Sequence, residues 1–221
     1  VKTHPHLLVR DVLAELFVRA AAGAAEALQT ADELAAWASG DRLAATERLC
    51  ELKVEDGGAL FEPGGGVAER FAGLDAYVRD RARRYAEALR WIAADAASAS
   101  VIDRARAAWD AGLFFEVHEV VEPAWLEASG DQRTLLQGII MAGAALHHLV
   151  GGNTAGARGL LRDAARRLSA VPEPADLAVG AFASALDALA ERVDAGSIPL
   201  DEVLESLPRL ERRSGTTAAE N

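Results

Sequence analysis

The sequence predicts an all-α protein, an antiparallel multi-helix bundle with an additional N-terminal helical region, and three observations carry that expectation. Apolar residues make up 51% of the 221, yet 49 residues are alanine and only 5% are aromatic. Alanine and leucine favour helix, whereas strands draw on β-branched and aromatic side chains. Apolar residues recur at i, i+3 and i+4 through almost the whole chain, and strict alternation scarcely occurs. Turn residues then divide these periodic stretches at helix-length intervals.

Taken in order, the spacing predicts a helix over 7–28 and a second over 30–53 with a break at Gly40 and Asp41. The connection EDGGALFEPGGG follows, and its apolar Leu60 and Phe61 suggest that it is pinned to the body of the protein. A long helix is expected over 67–94, because Phe71, Leu74, Val78, Tyr85, Leu89 and Ile92 form one apolar stripe. Its other face holds RDRARRY, with four arginines from Arg79 to Arg84, read as a solvated helix face. Ser98 and Ser100 offer N-caps for a helix through Trp109, which Gly112 ends. Helices are then expected over 113–128, 132–150, 154–168 with Asn153 as its cap, 176–193 and 200–211. The final RRSGTTAAEN reads as a disordered tail. The domain expectation is an N-terminal helical region at 1–97, a bundle at 98–212 and a tail at 213–221.

Charge and composition exclude several functions. The formal net charge is −11, with 12 basic and 16 acidic residues before residue 96, so neither half is a basic module. Phosphate backbones require a concentrated positive surface, which argues for no nucleic acid and no membrane partner. The 134–157 stretch lacks Asp, Glu, Lys and Arg, but it contains Gln137, His147, His148 and Gly151-Gly152-Asn153, which suits a buried helix better than a membrane span. A single cysteine, Cys50, permits no internal disulfide and makes a cytoplasmic setting the expectation. The glycines at 64–66 have no strand and helix around them and are no phosphate cradle. A homo-oligomer or protein partner stays open, and any small-molecule ligand is unidentified.

From residue 113 onward polar residues enter the apolar stripes. In FFEVHEVVEPAW, Phe114, His118, Val121, Glu122 and Trp125 share one helical stripe, with Glu119 at its edge and Glu116 pointing further away. His118 and Glu122 lie one turn apart, close enough to share an ion. On the next helix Arg133, Gln137, Ile140, Ala144 and His148 share a face, with His147 beside it. One reading is a divalent-metal site with His118, Glu122 and His148 as ligands and Arg133 or Gln137 outside them. The other is a self-satisfied structural network in which Arg133 pairs with Glu122 or Glu119, as in a non-enzymatic scaffold or interaction protein. No catalytic residue is identifiable: HEVVE lacks the second histidine of HExxH, the two Glu-x-x-His pairs of a di-iron bundle are missing, and no nucleophile lies on either stripe.

FFEVHEVVEPAW, Arg133 with LLQGII and ALHHLVGGNTAGARGLL, in that order, resemble the DUF309 family of small helical proteins of unknown function. The resemblance spans roughly residues 98–212. It implies that His118, Glu122 and Trp125 form the family's short signature, that His148 aligns with a family histidine and that the signature binds a metal ion. Pro123 departs from the family pattern and is expected to free the Glu119 carbonyl and kink the helix.

Overall fold

The computed structural model describes residues 4–41, 44–94, 99–174, 176–196 and 199–213, and over these it is all-α. The helices are α1 (Pro5–Ala21), α2 (Ala25–Ser39), α3 (Glu47–Cys50), α4 (Asp75–Ala94), α5 (Val101–Asp110), α6 (Phe114–Glu127), α7 (Gly130–Val150), α8 (Thr154–Ser169), α9 (Val179–Asp194) and α10 (Leu200–Glu205). Three isolated β-bridges occur, two of them within the connection between α3 and α4. No described helix is long and apolar enough to cross a membrane.

Most differences from the expected boundaries have local causes. The first helix stops at Ala21 because Gly23 takes a φ of 86°, a left-handed conformation that glycine adopts without Cβ strain. The alanine-rich sequence around Gly23 masks that break. The expected second helix ends at the left-handed Gly40, and α3 restarts after Thr46, whose hydroxyl accepts from Leu49 N at 3.2 Å. The first turns of the expected 67–94 helix form a 3-10 helix, Glu69–Leu74, before α4 begins. Of the two expected caps for α5, Ser100 makes a reciprocal capping box with Asp103, while Ser98 lies outside the described residues. Of the expected tail, Arg212 and Arg213 are ordered against Asp176 and Glu173, and 214–221 lie outside the described residues.

The chain divides into two compact units, Val1–Val120 and Val121–Asn221. The division falls within α6, whereas the sequence suggested a boundary near residue 97. In the first unit α1 packs on α2, α2 on α4 and α4 on α5. Its core joins Leu13 and Phe17 of α1, Leu34 and Trp37 of α2, and Val78 and Tyr85 of α4, all buried. The Phe17 and Tyr85 rings lie 4.9 Å apart. The expectation for the α3–α4 connection holds, since Leu60 and Phe61 are fully buried and Phe61 meets Trp37 edge-on at 4.9 Å.

Of the arginines in RDRARRY, Arg83 is exposed and Arg79 and Arg84 are 35% and 42% exposed, as a solvated face implies, but Arg81 is largely buried. Arg79 stacks on Trp37 at 3.9 Å and donates to the Trp37 carbonyl at 3.1 Å, covering the open end of α2. Arg84 donates to the Ala111 carbonyl at 2.9 Å, and Arg81 reaches Glu116. Arginine stems pack along apolar surface while their heads reach carbonyl oxygens at helix ends or, for Arg81, a carboxylate. Periodicity places these residues off the apolar stripe, but it does not reveal those acceptors.

In the second unit α8 packs between α7 and α9. Gly138 allows the α7–α8 approach, because a Cβ there would lie 2.6 Å from Leu168 Cγ. Gly138→Ala is therefore expected to lower stability by roughly 1 to 2 kcal/mol, since overpacking outweighs the gain in helix propensity. Gly159 of α8 faces open space and supplies the control. Gly159→Ala should raise stability by up to about 1 kcal/mol. Thermal melts of the two variants should shift in opposite directions, and a rise for both would refute the close approach.

Candidate metal centre on helix α6

Helix α6 begins with Phe114 after the left-handed Gly112 and continues through Pro123 to Glu127, so the proline interrupts one hydrogen bond without ending the helix. Its buried residues are Phe114, Glu116, Val117, Val120 and Val121. His118, Glu119, Glu122 and Trp125 are only partly buried. Of the expected stripe, Phe114 and Val121 thus face the core, whereas His118, Glu122 and Trp125 lie on the half-buried flank beside it.

On that flank one imidazole nitrogen of His118 and one carboxylate oxygen each of Glu119 and Glu122 lie within 4.8 Å of one another. Among the described residues this is the one His, Cys, Asp or Glu group so arranged. His118 Nδ1 is 2.9 Å from Glu119 Oε1, and both side chains are 34% exposed, so water and small solutes reach them. The geometry is set by a single helix: Glu122 stands one turn beyond His118, and Glu119 is the next residue along. One imidazole nitrogen and two carboxylate oxygens fit a borderline divalent ion such as zinc, manganese or ferrous iron. Ligand bonds of about 2.1 Å would draw the three atoms closer together, a shift that partly exposed side chains can make by changing rotamer.

The remaining expected residues do other work. His148, near the end of α7, is not a member of this group. Asn153 caps α8 by accepting from Gly156 N at 3.0 Å through Oδ1, which leaves its amide nitrogen 3.2 Å from His148 Nδ1. That amide can only donate, so it selects the His148 tautomer with the proton on Nε2 and occupies the other nitrogen. His147 is half-buried, with its ring centroid 6.4 Å from that of His148. Gln137 is half-buried on α7.

Arg133 does not pair with Glu119 or Glu122. Its guanidinium lies 4.2 Å from the centroid of the Trp125 ring. It donates to the Trp125 carbonyl at 2.9 Å and to those of Leu126 and Ala128 at 3.4 and 3.3 Å. The ion pair of the structural-network reading is replaced by a C-terminal cap because the end of α6 presents carbonyl oxygens at negative partial charge. Trp125 is thereby clamped, although its buried indole Nε1 has no hydrogen-bond partner among the described residues.

The polar residue that the sequence understated is Glu116. It points away from the flank, as expected, but its carboxylate is fully buried. Oε1 accepts from the Tyr85 hydroxyl at 2.8 Å and Oε2 from Arg81 Nη1 at 3.3 Å. Burial drives the Tyr85 phenol well above its ordinary range, and the negative charge of Glu116 adds to that shift. Burial pulls Arg81 down, but Glu116 together with Tyr77, Tyr85 and Asp80 outweighs it and holds the guanidinium above its usual value. Both proton donors stay protonated, and Glu116 keeps two charge-compatible partners. Arg81 and Tyr85 lie one turn apart on α4, a spacing visible in the sequence, but nothing local identifies the carboxylate they meet.

No curated protein and no solved structure gives a significant match to the chain. A family model does match one segment, beginning in α5, containing all of α6 and α7 and ending within α8. Residues 102–160 match DUF309, a domain of unknown function, as the order of the α6 and α7 motifs led us to expect.

Proposed function

We propose that the protein binds a divalent metal ion on the flank of α6 through His118, Glu119 and Glu122. The observation that supports this reading is the placing of three ligand atoms of suitable chemistry within 4.8 Å of one another on an accessible helix surface. Three protein donors leave coordination positions for water or a substrate, and a bound ion there would supply Lewis-acid chemistry. His118 would bind as the neutral imidazole. A non-enzymatic scaffold is the second reading. It draws support from Arg133 and Glu116, whose partners are structural, but it leaves the His118, Glu119 and Glu122 grouping without a role.

The test is the metal content of untagged protein purified without chelator, followed by titration of the stripped chain with cobalt or zinc. Wild type is expected to take up one ion per chain, and His118→Ala and Glu122→Gln should each weaken binding at least about tenfold. An ion present at 100 times its dissociation constant should stabilise wild type by about 2.7 kcal/mol. Chelator should reverse that gain and leave the melting of His118→Ala unchanged. No uptake by wild type, or equal uptake by His118→Ala, would exclude this site.

A further inference from the structure

We infer that Arg81 and Tyr85 of α4, acting through the buried carboxylate of Glu116, are positioning residues that turn the His118, Glu119 and Glu122 face of α6 outward. The inference rests on the cation reading of that face. Glu116 precedes His118 by two residues, which places it about 200° away around the helix at the ordinary 3.6 residues per turn. His118 is therefore on the far side of α6 from Glu116, while Glu119 and Glu122, three and six residues on, lie about 60° and 120° from it, so one rigid element fixes all four directions.

The pin resists rotation because both carboxylate oxygens are engaged by different residues of α4. Tyr85 OH holds Oε1 at 2.8 Å, and Arg81 Nη1 holds Oε2 at 3.3 Å. A helix held through one oxygen can turn about that bond; one held through two separate donors cannot turn without breaking one of them. Rotating α6 by one residue, about 100°, would carry Glu116 out of reach and take one of the flank residues toward the apolar side. That would leave Arg81, whose side chain is 14% exposed, without its anion, and would bury a new polar group. The same sector of α6 is fastened from α1, where Arg10 lies 3.9 Å from the centroid of the Phe115 ring. Phe115 precedes His118 and Glu119 by three and four residues, so this contact holds the flank one turn before the donor group.

A further consequence concerns the N-terminal helices. Arg10, Arg81 and Tyr85 all precede residue 102, where the family match begins. Segments outside the matched domain therefore orient the donor face within it, which gives the N-terminal helices a role in cation binding without contributing a ligand.

The experiment uses the full chain and cobalt, with Tyr85→Phe as the principal variant and Arg81→Lys as the second. Tyr85→Phe removes one hydroxyl and keeps the ring against Phe17. Each variant is stripped of metal, titrated with cobalt and compared with wild type in affinity and in the visible spectrum of the saturated complex. Weaker binding of about threefold to tenfold with a shifted spectrum and native far-UV circular dichroism is expected for Tyr85→Phe. Arg81→Lys, which keeps the charge but loses the planar reach, should move both readouts in the same direction. Wild-type affinity and spectrum in both variants would overturn the positioning role and leave the cation site standing. Failure of wild type to bind cobalt would overturn both. If Tyr85→Phe does not fold, Arg81→Lys decides alone. A variant whose melting falls equally with and without cobalt has lost stability but not positioning, and it counts against the inference.

Discussion

Glu116→Ala is expected to be among the most damaging single substitutions in the chain, lowering stability by roughly 3 to 5 kcal/mol. Three losses combine at this position. Arg81 keeps its charge in a site from which water is largely excluded, since its side chain is 14% exposed and its Nε is already buried without a partner among the described residues. Tyr85, a fully buried phenol, loses the acceptor for its hydroxyl. A space the size of most of a glutamate side chain opens in a fully buried site. Glu116→Gln retains an acceptor for Tyr85 and much of the volume, and should cost less than half as much. Urea unfolding of both variants measures the difference. The double variant Glu116→Leu with Arg81→Met separates the charge from the packing: if the buried charge dominates, the pair should recover most of the stability lost by Glu116→Leu alone. Equal stability of Glu116→Ala and wild type would mean that the Arg81–Glu116–Tyr85 contacts contribute nothing to the fold.

The sequence made the helices legible because their pattern is repeated many times, and it made the polar contacts only half legible because each occurs once. Phe71, Val78, Tyr85, Leu89 and Ile92 are buried as their stripe predicts, and Leu74 of the same stripe is half-buried. Asn153 caps α8, and His118 and Glu122 come together because a helix guarantees that spacing. Glu119 joins them through side-chain rotation, which a helical wheel does not contain. One of the two readings put Arg133 on a carboxylate, and it lies on carbonyl oxygens instead, because backbone acceptors at a helix end carry no residue label. The carbonyl contacts of Arg79 and Arg84 escape the sequence for the same reason. Glu116 was understated because its partners are more than 30 residues earlier in the chain, and only the packing of α4 brings them to it.

The fragment 98–212 is expected to lose the cooperative melt of the full chain and to aggregate on heating, despite containing the whole family-matched segment. Sequence length alone argues for independence, since about 115 residues lie within the ordinary range of a single domain. Packing argues against it. Helix α5 lies on α4, which the fragment lacks, and α5 buries Ala105, Ala108 and Trp109 in the full chain. The carboxylate of Glu116 would lose Arg81 and Tyr85, and Phe115 would lose Arg10. Apolar surface exposed together on α5 and the first turns of α6 makes a contiguous patch of the kind that drives association. The helices α7, α8 and α9 keep one another in the fragment, so far-UV circular dichroism should remain strongly helical while cooperativity is lost. A longer fragment beginning at residue 69, which restores α4, should recover part of the transition, and adding Glu116→Gln to the shorter one should not. A soluble 98–212 fragment with a single sharp transition near the melting temperature of the full chain would show that the α4 contacts are dispensable and that the segment closes its own core.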